Sequence, residues 1–149
     1  MKQGAKKPGR LWTGLLMGIY LALLSHLVFF SKSFGRDTVR TRYNLELFKT
    51  IGNFIKYREQ VRPELFYMNI YGNMAAFMPL GLLLPLVLPK AGRLSGTLFS
   101  GLLVSVFIEA VQFICKVGSL DVDDVVLNVL GTLLGWMLYR IGRHIQERF

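Results

Sequence analysis

The residue in this chain with the clearest chemical potential is Glu109, an acid near the end of the apolar run Leu94–Ile114. A run of this length can cross a bilayer, and an acid at the centre of such a helix opposes insertion by roughly 2.5–3.5 kcal/mol. An acid retained in a membrane helix usually has a polar partner, a water-filled cavity or a functional role. Glu109 is therefore the candidate catalytic residue.

Other polar residues share a helix face with Glu109 or form polar faces on the neighbouring apolar runs. Residues three or four positions apart share a helix face, and a polar face avoids lipid, because an unsatisfied amide or carboxyl costs several kcal/mol there. The aligned sets are Ser105, Glu109 and Gln112; Asp124, Asn128, Gly131 and Gly135; and Asn69, Asn73 and Ala76. We expect these faces to converge on one polar pocket, with the candidate binding residues Asn73, Ser105, Gln112, Asp121, Asp123, Asp124 and Asn128.

These residues also have structural explanations. Asn73 and Asn128 can serve as hydrogen-bond partners between helices, worth roughly 0.6–2 kcal/mol each. The aspartates from 121 to 124 precede or open an apolar run, where a helix N-terminus favours negative charge. Acidic oxygens would suit Mg²⁺ or Ca²⁺, but their spacing matches no dedicated metal loop. We predict no metal and no cofactor.

Composition places these residues in a membrane. The 149 residues are 52% hydrophobic and 13% aromatic, which is more apolar than a soluble domain of this size. The net charge is +9, and the basic residues lie between the apolar runs and at the termini, where anionic lipid headgroups would meet them. Nucleic-acid binding is not expected. The single cysteine, Cys115, excludes an intramolecular disulfide framework.

Four apolar runs have the length of a transmembrane helix, roughly 17–25 residues. They are 11–30, 70–88, 94–114 and 125–141. Short connections make the last three antiparallel neighbours. The first run follows basic residues as in a signal peptide, but its length and lack of a cleavage site favour a retained anchor. We predict an all-α membrane protein, a single domain over 1–149 with four transmembrane helices in an antiparallel bundle.

The segment 44–57, between the first two runs, has an amphipathic pattern. Its apolar residues recur at helical spacing, and its lysines, Lys49 and Lys56, take the other side. This pattern predicts a short helix lying in the membrane interface. A surface helix that packs on the bundle would have the same periodicity.

Small residues and prolines indicate how the helices pack. The spacings Gly14-x3-Gly18 and Gly131-x3-Gly135 each allow close approach of another helix. Pro79 in the second run removes a backbone hydrogen bond and favours a kink, and the freed carbonyl must face protein or water.

Threading the runs up and down places both termini on one side of the membrane. The basic residues divide equally between the two sides, but the rule that cytoplasmic loops are positive gives most weight to charges beside the first helix. We expect cytoplasmic termini. The start of the second run, the end of the third and the start of the fourth then meet at the outer face, so the pocket faces outward.

Taken in order, these motifs resemble the VanZ-like family of bacterial membrane proteins. The motifs are Asn73-x3-Phe77-x-Pro79-x-Gly81, Ser105-x3-Glu109-x2-Gln112, and Asp121-x-Asp123-Asp124-x3-Asn128-x2-Gly131-x3-Gly135. The segment 44–51 is similar as well, so that the likeness extends from about Tyr43 to Tyr139. This chain departs from the pattern at Leu47, where many members have Pro, and at Gly118, near where many have Arg.

The resemblance implies a multi-pass cell-membrane protein of the cell envelope, associated with resistance to the glycopeptide antibiotic teicoplanin. It carries no settled biochemical activity. The first hypothesis is a binding module whose pocket engages a membrane lipid, a lipid-linked cell-wall precursor or a surface polymer. Without an Arg near Gly118, recognition of an anionic headgroup would depend on Lys116 or the basic loop.

The second hypothesis is an intramembrane enzyme that acts on a lipid-linked envelope substrate. Glu109 would be its general acid or base, Asn73 and Asn128 would orient the substrate, and Asp123 and Asp124 would hold a metal or repel the Glu109 charge. Proton-coupled transport through Glu109 fits less well, because four spans without an internal repeat leave little room for alternating access.

Overall fold

The computed structural model describes residues 9–30 and 43–148. Its helices are α1 (Gly9–Phe30), α2 (Lys49–Lys56), α3 (Pro63–Tyr67), α4 (Asn73–Val87), α5 (Leu94–Ile114) and α6 (Val122–Gln146). A π-helical turn, Met68–Gly72, joins α3 to α4, and a 3₁₀ turn, Pro89–Ala91, links α4 to α5. Two short strands, β1 (Tyr43–Asn44) and β2 (Leu120–Asp121), pair in parallel.

Four helices are long and apolar enough to cross a membrane, namely Leu11–Phe29, Pro63–Val87, Leu94–Ile114 and Val122–Gln146. The predicted all-α membrane fold with four transmembrane helices is therefore confirmed. The second helix starts earlier than the predicted run 70–88, because Pro63 suits the first helical position and the π turn carries the helix onward. The basic residues expected before residue 9 and within 31–42 lie outside the described residues.

Helices α4 and α6 pack backbone to backbone. A Cβ atom at Gly131 would collide with the carbonyl of Met74, and one at Gly135 would collide with the carbonyl of Met78. The contacts advance together along both helices, so α4 and α6 run in the same direction. Up-down threading requires this arrangement, because α5 follows α4 and precedes α6 in the chain and runs antiparallel to both. The expectation that Gly131 and Gly135 allow close helix approach agrees with these contacts.

The corresponding expectation for Gly14 and Gly18 is wrong. A Cβ atom at either position would meet nothing within 4 Å. Helix α1 instead packs through larger side chains on another face, because Met17, Leu24 and Val28 enter the apolar core. The rest of the buried core comprises Phe77, Leu80, Leu84 and Ile108. An i, i+4 pair of glycines thus did not identify the packed face of α1.

Helix α2 forms within the predicted amphipathic segment and begins at Lys49. No residue of α2 is buried, and the side chains of Leu47, Phe48 and Ile55 are 59%, 61% and 62% exposed. Hydrogen bonds from the start of the helix attach it to α6. These three side chains are therefore open, as an interfacial helix requires. Ile51 and Phe54 of the same apolar pattern are half-buried, and Phe54 packs against Phe66.

Candidate functional site

A cavity of about 190 Å³ lies where the start of α4, the end of α5 and the start of α6 meet. Its amide and acidic lining residues are Asn69, Asn73, Glu109, Gln112, Asp124 and Asn128, and Ser119 adds a hydroxyl. Val28 of α1, Phe54 of α2 and Leu65 of α3 add apolar surface. The structure thus brings Asn73, Glu109, Gln112, Asp124 and Asn128, all proposed from sequence, onto one cavity.

Glu109 is held at the cavity by the backbone of the loop before α6. Its Oε2 atom accepts a hydrogen bond from the Asp121 N–H at 2.9 Å, and the residue is only 5% exposed. Since Asp121 is the N-cap of α6, this bond ties the end of α5 to the beginning of α6. Glu109 therefore has both a structural partner and a place in the cavity wall.

Asp124 accepts a hydrogen bond from the second membrane helix. Asn73 Nδ2 donates to Asp124 Oδ1 at 2.8 Å, and Asn69 lines the same cavity. Asn69 lies in the π-helical turn, a widened turn that often occurs at functional sites. The turn and the first residue of α4 thus place both amides on the side that faces α6.

Asn128 connects the cavity to the interior of the bundle. Its Nδ2 atom donates to Ser105 Oγ at 2.9 Å, whereas its Oδ1 atom is buried without a partner. Asn69 Oδ1 is also buried and unpartnered. Each unmet acceptor costs about 1–3 kcal/mol. Ser105 itself does not line the cavity and lies behind Asn128 as its support.

The end of α5 turns the following loop back toward the cavity. The Val117 N–H bonds to Gln112 O and the Lys116 N–H to Phe113 O, which is a Schellman helix end. Lys116 takes the left-handed conformation, φ 57°, that glycine commonly supplies in this motif. The loop residues Val117, Gly118 and Ser119 consequently become cavity wall.

Asp121 and Asp123, two of the predicted binding residues, lie outside the cavity wall. Asp121 Oδ2 accepts from Thr50 Oγ1 at 2.6 Å, and its Oδ1 accepts from Asn44 Nδ2 at 3.1 Å and from the Asp123 N–H at 2.9 Å. The β1–β2 pairing of Asn44 with Asp121 reinforces this attachment. Asp121 thus holds the segment that leads into α2.

Asp123 caps α2 from a different helix. Its two carboxylate oxygens accept the backbone N–H groups of Phe48 and Ile51, both in the first turn of α2. Phe48 is the N-cap residue and has a positive φ of 63°, a conformation that costs a non-glycine residue roughly 1–2 kcal/mol. The fully buried Asp123 carboxylate stabilises this turn in place of a local side-chain cap.

No charge partner accompanies the acids of this cavity within residues 9–30 and 43–148. The ion pairs found in those ranges are Lys49–Glu46 and Arg143–Glu147, both exposed and away from the cavity. The same ranges contain no group of three or more His, Cys, Asp or Glu side chains arranged to hold a metal ion.

Sequence reasoning placed Asn69 on the polar face but did not include it among the site residues. Its spacing of four from Asn73 was a sufficient signal, because both residues line the cavity. Ser119, Asn44 and Thr50 were also missed. Their contacts depend on loop and strand geometry, and no helical periodicity extends into those segments.

Comparison with known proteins identifies the family of this chain. The model of the VanZ/LLP1 family matches residues 17–143. Protein VanZ of Enterococcus faecium is 30% identical to this chain over 145 residues, which cover 94% of this chain and 81% of that protein. No solved structure matches. The chain is therefore a multi-pass membrane protein that belongs to the VanZ/LLP1 family.

Proposed function

We propose that this protein binds an envelope lipid, a lipid-linked wall precursor or a surface polymer through its polar cavity. By this binding it would contribute to resistance against teicoplanin-type glycopeptides, as its family resemblance implies. The observation that carries the proposal is the pair of buried, unpartnered amide oxygens, on Asn69 and Asn128, in the wall of one cavity. Buried acceptors are normally satisfied, so a ligand that donates hydrogen bonds would complete the site.

Helix α2 is the part of the protein that we propose to contact the membrane interface beside the cavity. With Leu47, Phe48 and Ile55 exposed on one side of the segment and Lys49 and Lys56 exposed as well, it is suited to lie at the headgroup boundary. Phe54 of α2 also lines the cavity. A ligand that enters from the interface would therefore meet α2 first. We propose that this end of the bundle faces outward and that both termini are cytoplasmic.

A second candidate function is catalysis on a lipid-linked substrate. The observation in its favour is the position of Glu109, whose carboxylate is oriented by the Asp121 N–H while the side chain lines the cavity. A general acid or base requires such an oriented group within hydrogen-bond reach of the substrate. Asn73 and Asn128, in the same wall, would orient that substrate.

Two sets of substitutions distinguish binding from catalysis in cells exposed to teicoplanin. Glu109→Gln removes the charge but keeps an oxygen that can accept the Asp121 N–H. If Glu109 is catalytic, this variant loses tolerance at normal membrane abundance, and an envelope lipid or precursor accumulates. If binding dominates, replacing the exposed Arg58 and Arg62 by Gln weakens tolerance at least as much, with an unchanged lipid profile.

Lys90→Gln with Arg93→Gln is the matched control, since it removes two exposed basic residues from the α4–α5 connection at the opposite end of the bundle. This control should retain tolerance. Full tolerance in Glu109→Gln would remove Glu109 from either mechanism. Equal lipid changes in Glu109→Gln and in the Arg58 and Arg62 variant would refute the separation of the two functions.

A further inference from the structure

Three amide nitrogens in the cavity wall already donate to protein acceptors. The bonds run from Asn73 Nδ2 to Asp124 Oδ1 at 2.8 Å, from Gln112 Nε2 to Val28 O at 3.1 Å and from Asn128 Nδ2 to Ser105 Oγ at 2.9 Å. Carboxylate and carbonyl oxygens can only accept. These partners therefore fix which way the Asn73 and Gln112 amides face. Asn128 directs its Nδ2 atom at the Ser105 hydroxyl, a group that can accept or donate.

Hydrogen-bond acceptors are what remain for a ligand. Asn128 is 4% exposed, lines the cavity and has no partner for Oδ1. Asn69 also lines the cavity, and its Oδ1 atom is buried without a hydrogen-bond partner. Because both unpartnered atoms are amide oxygens, which accept hydrogen bonds, the groups that would satisfy them are donors. A ligand that offers only acceptors, such as a phosphate ester, would leave both oxygens unsatisfied.

The acidic residues of the cavity wall also favour a ligand that donates hydrogen bonds, in particular a positively charged one. Glu109 and Asp124 line the cavity, and no Lys or Arg is among the described lining residues. Neither acid forms an ion pair within residues 9–30 and 43–148. An ionised carboxylate is unfavourable in a buried site without a counter-charge, so a positively charged ligand would stabilise the ionised forms of both acids. An anionic group in this cavity would instead meet two carboxylates.

Cavity size and the adjoining segment limit what carries that charge. At about 190 Å³ the cavity is smaller than the roughly 300–1,000 Å³ of typical ligand pockets, so it suits a small group. Phe54 and Leu65 both line it, and the segment between them carries the exposed residues Lys56, Arg58 and Arg62. A phosphate joined to the entering group could lie against that basic segment.

We propose that the cavity receives the primary ammonium group of an aminophospholipid headgroup. Its N–H groups donate to the free oxygens of Asn69 and Asn128, and its charge is balanced by Glu109 and Asp124. The phosphate lies outside, against the basic residues of the segment 55–64. This inference rests on the proposed ligand-binding function and specifies the chemistry of the ligand.

The test uses the purified full-length chain in micelles. Native mass spectrometry measures retention of phosphatidylethanolamine, phosphatidylcholine and phosphatidylglycerol. Phosphatidylcholine is the matched ligand, because it keeps the positive charge and phosphate but has no N–H donor. We expect phosphatidylethanolamine to be retained about tenfold better than the other two, as a few charge-assisted hydrogen bonds provide. Competition by free ethanolamine, but not choline, would assign recognition to the ammonium alone; no competition would assign it to the lipid as a whole.

Variants connect this selectivity to the cavity. Glu109→Gln and Asp124→Asn each keep an acceptor for the existing protein donor, and each should bring the preference close to unity. Glu147→Gln, at an exposed acid just beyond the C-terminal end of α6, should leave it unchanged. Equal retention of phosphatidylethanolamine and phosphatidylcholine would overturn the proposal. Displacement of both lipids by Mg²⁺ would also overturn it, because the acids would then bind a metal ion rather than an ammonium group.

The same experiment separates failure of the ammonium proposal from failure of the binding function. If phosphatidylglycerol is retained best and its retention falls in Glu109→Gln, the cavity binds a lipid but the ammonium assignment is wrong. If retention of every lipid is unchanged in both cavity variants, neither the assignment nor binding of these lipids in the cavity stands.

Discussion

At the scale of single residues, the four acids at and beside the cavity divide into two groups with different partners. Glu109 and Asp124 face the cavity. Asp121 and Asp123 face the β1–α2 segment, where their oxygens accept hydrogen bonds from Asn44, Thr50 and the backbone of α2. The second pair therefore positions α2, whose Phe54 forms part of the cavity wall. Because Asp121, Asp123 and Asp124 are close in sequence, this division cannot be inferred from their spacing.

Asp123→Ala tests the positioning role. It leaves the Phe48 and Ile51 N–H groups without acceptors, and loss of a helix cap costs about 1 kcal/mol or more. Amide hydrogen exchange across residues 48–56 should become about tenfold faster or more, while the middle of α5 remains protected. Asp123→Asn retains one acceptor and should have an intermediate effect. Unchanged exchange in Asp123→Ala would show that other contacts hold α2.

At the scale of elements, the close contact between α4 and α6 determines the shape of the bundle. Gly81, Gly131 and Gly135 let the backbones meet, since a Cβ atom at any of the three would collide with backbone atoms of the other helix. In lipid, such backbone packing replaces the hydrophobic drive that acts in water. Asn73 and Asp124, near the start of these two helices, are brought within hydrogen-bond distance as a result.

Gly131→Ala should destabilise the protein by about 1–3 kcal/mol, the usual cost of overpacking, because the Met74 carbonyl is part of the α4 backbone and cannot rotate away. Thermal unfolding in micelles measures the effect. Gly18→Ala in α1 is the matched control, since a Cβ atom there meets nothing within 4 Å, and alanine favours helix over glycine. A control that is destabilised as much as Gly131→Ala would contradict this account of the packing.

At the scale of the whole molecule, the polar residues collect at one end of a four-helix membrane bundle. The same end carries α2, the strand pair and the loop 115–119, so the cavity and the segments that line or adjoin it belong to one membrane face. Which side of the membrane that face occupies decides whether the cavity can meet envelope ligands and antibiotics directly.

Cys115 reports this orientation in the native sequence. It is the single cysteine, is exposed, and follows the last residue of α5 beside the cavity loop. A membrane-impermeant thiol reagent should label it on intact cells if the cavity faces outward. Cys115→Ser controls for background, and a denatured sample confirms that the thiol reacts. Labelling that occurs only after lysis would place the cavity on the cytoplasmic side.

The sequence alone determined the helical membrane fold and the end of the bundle where Glu109, Asn73 and Asn128 would meet. Apolar length and a period of 3.6 residues are properties of the local chain, so spans and polar faces can be read from it. Only the tertiary structure decided that Asp123 caps α2, that Gly14 and Gly18 are unpacked, and that two amide oxygens remain free. These outcomes depend on which helices touch and how side chains share donors, and neither follows from spacing along one helix.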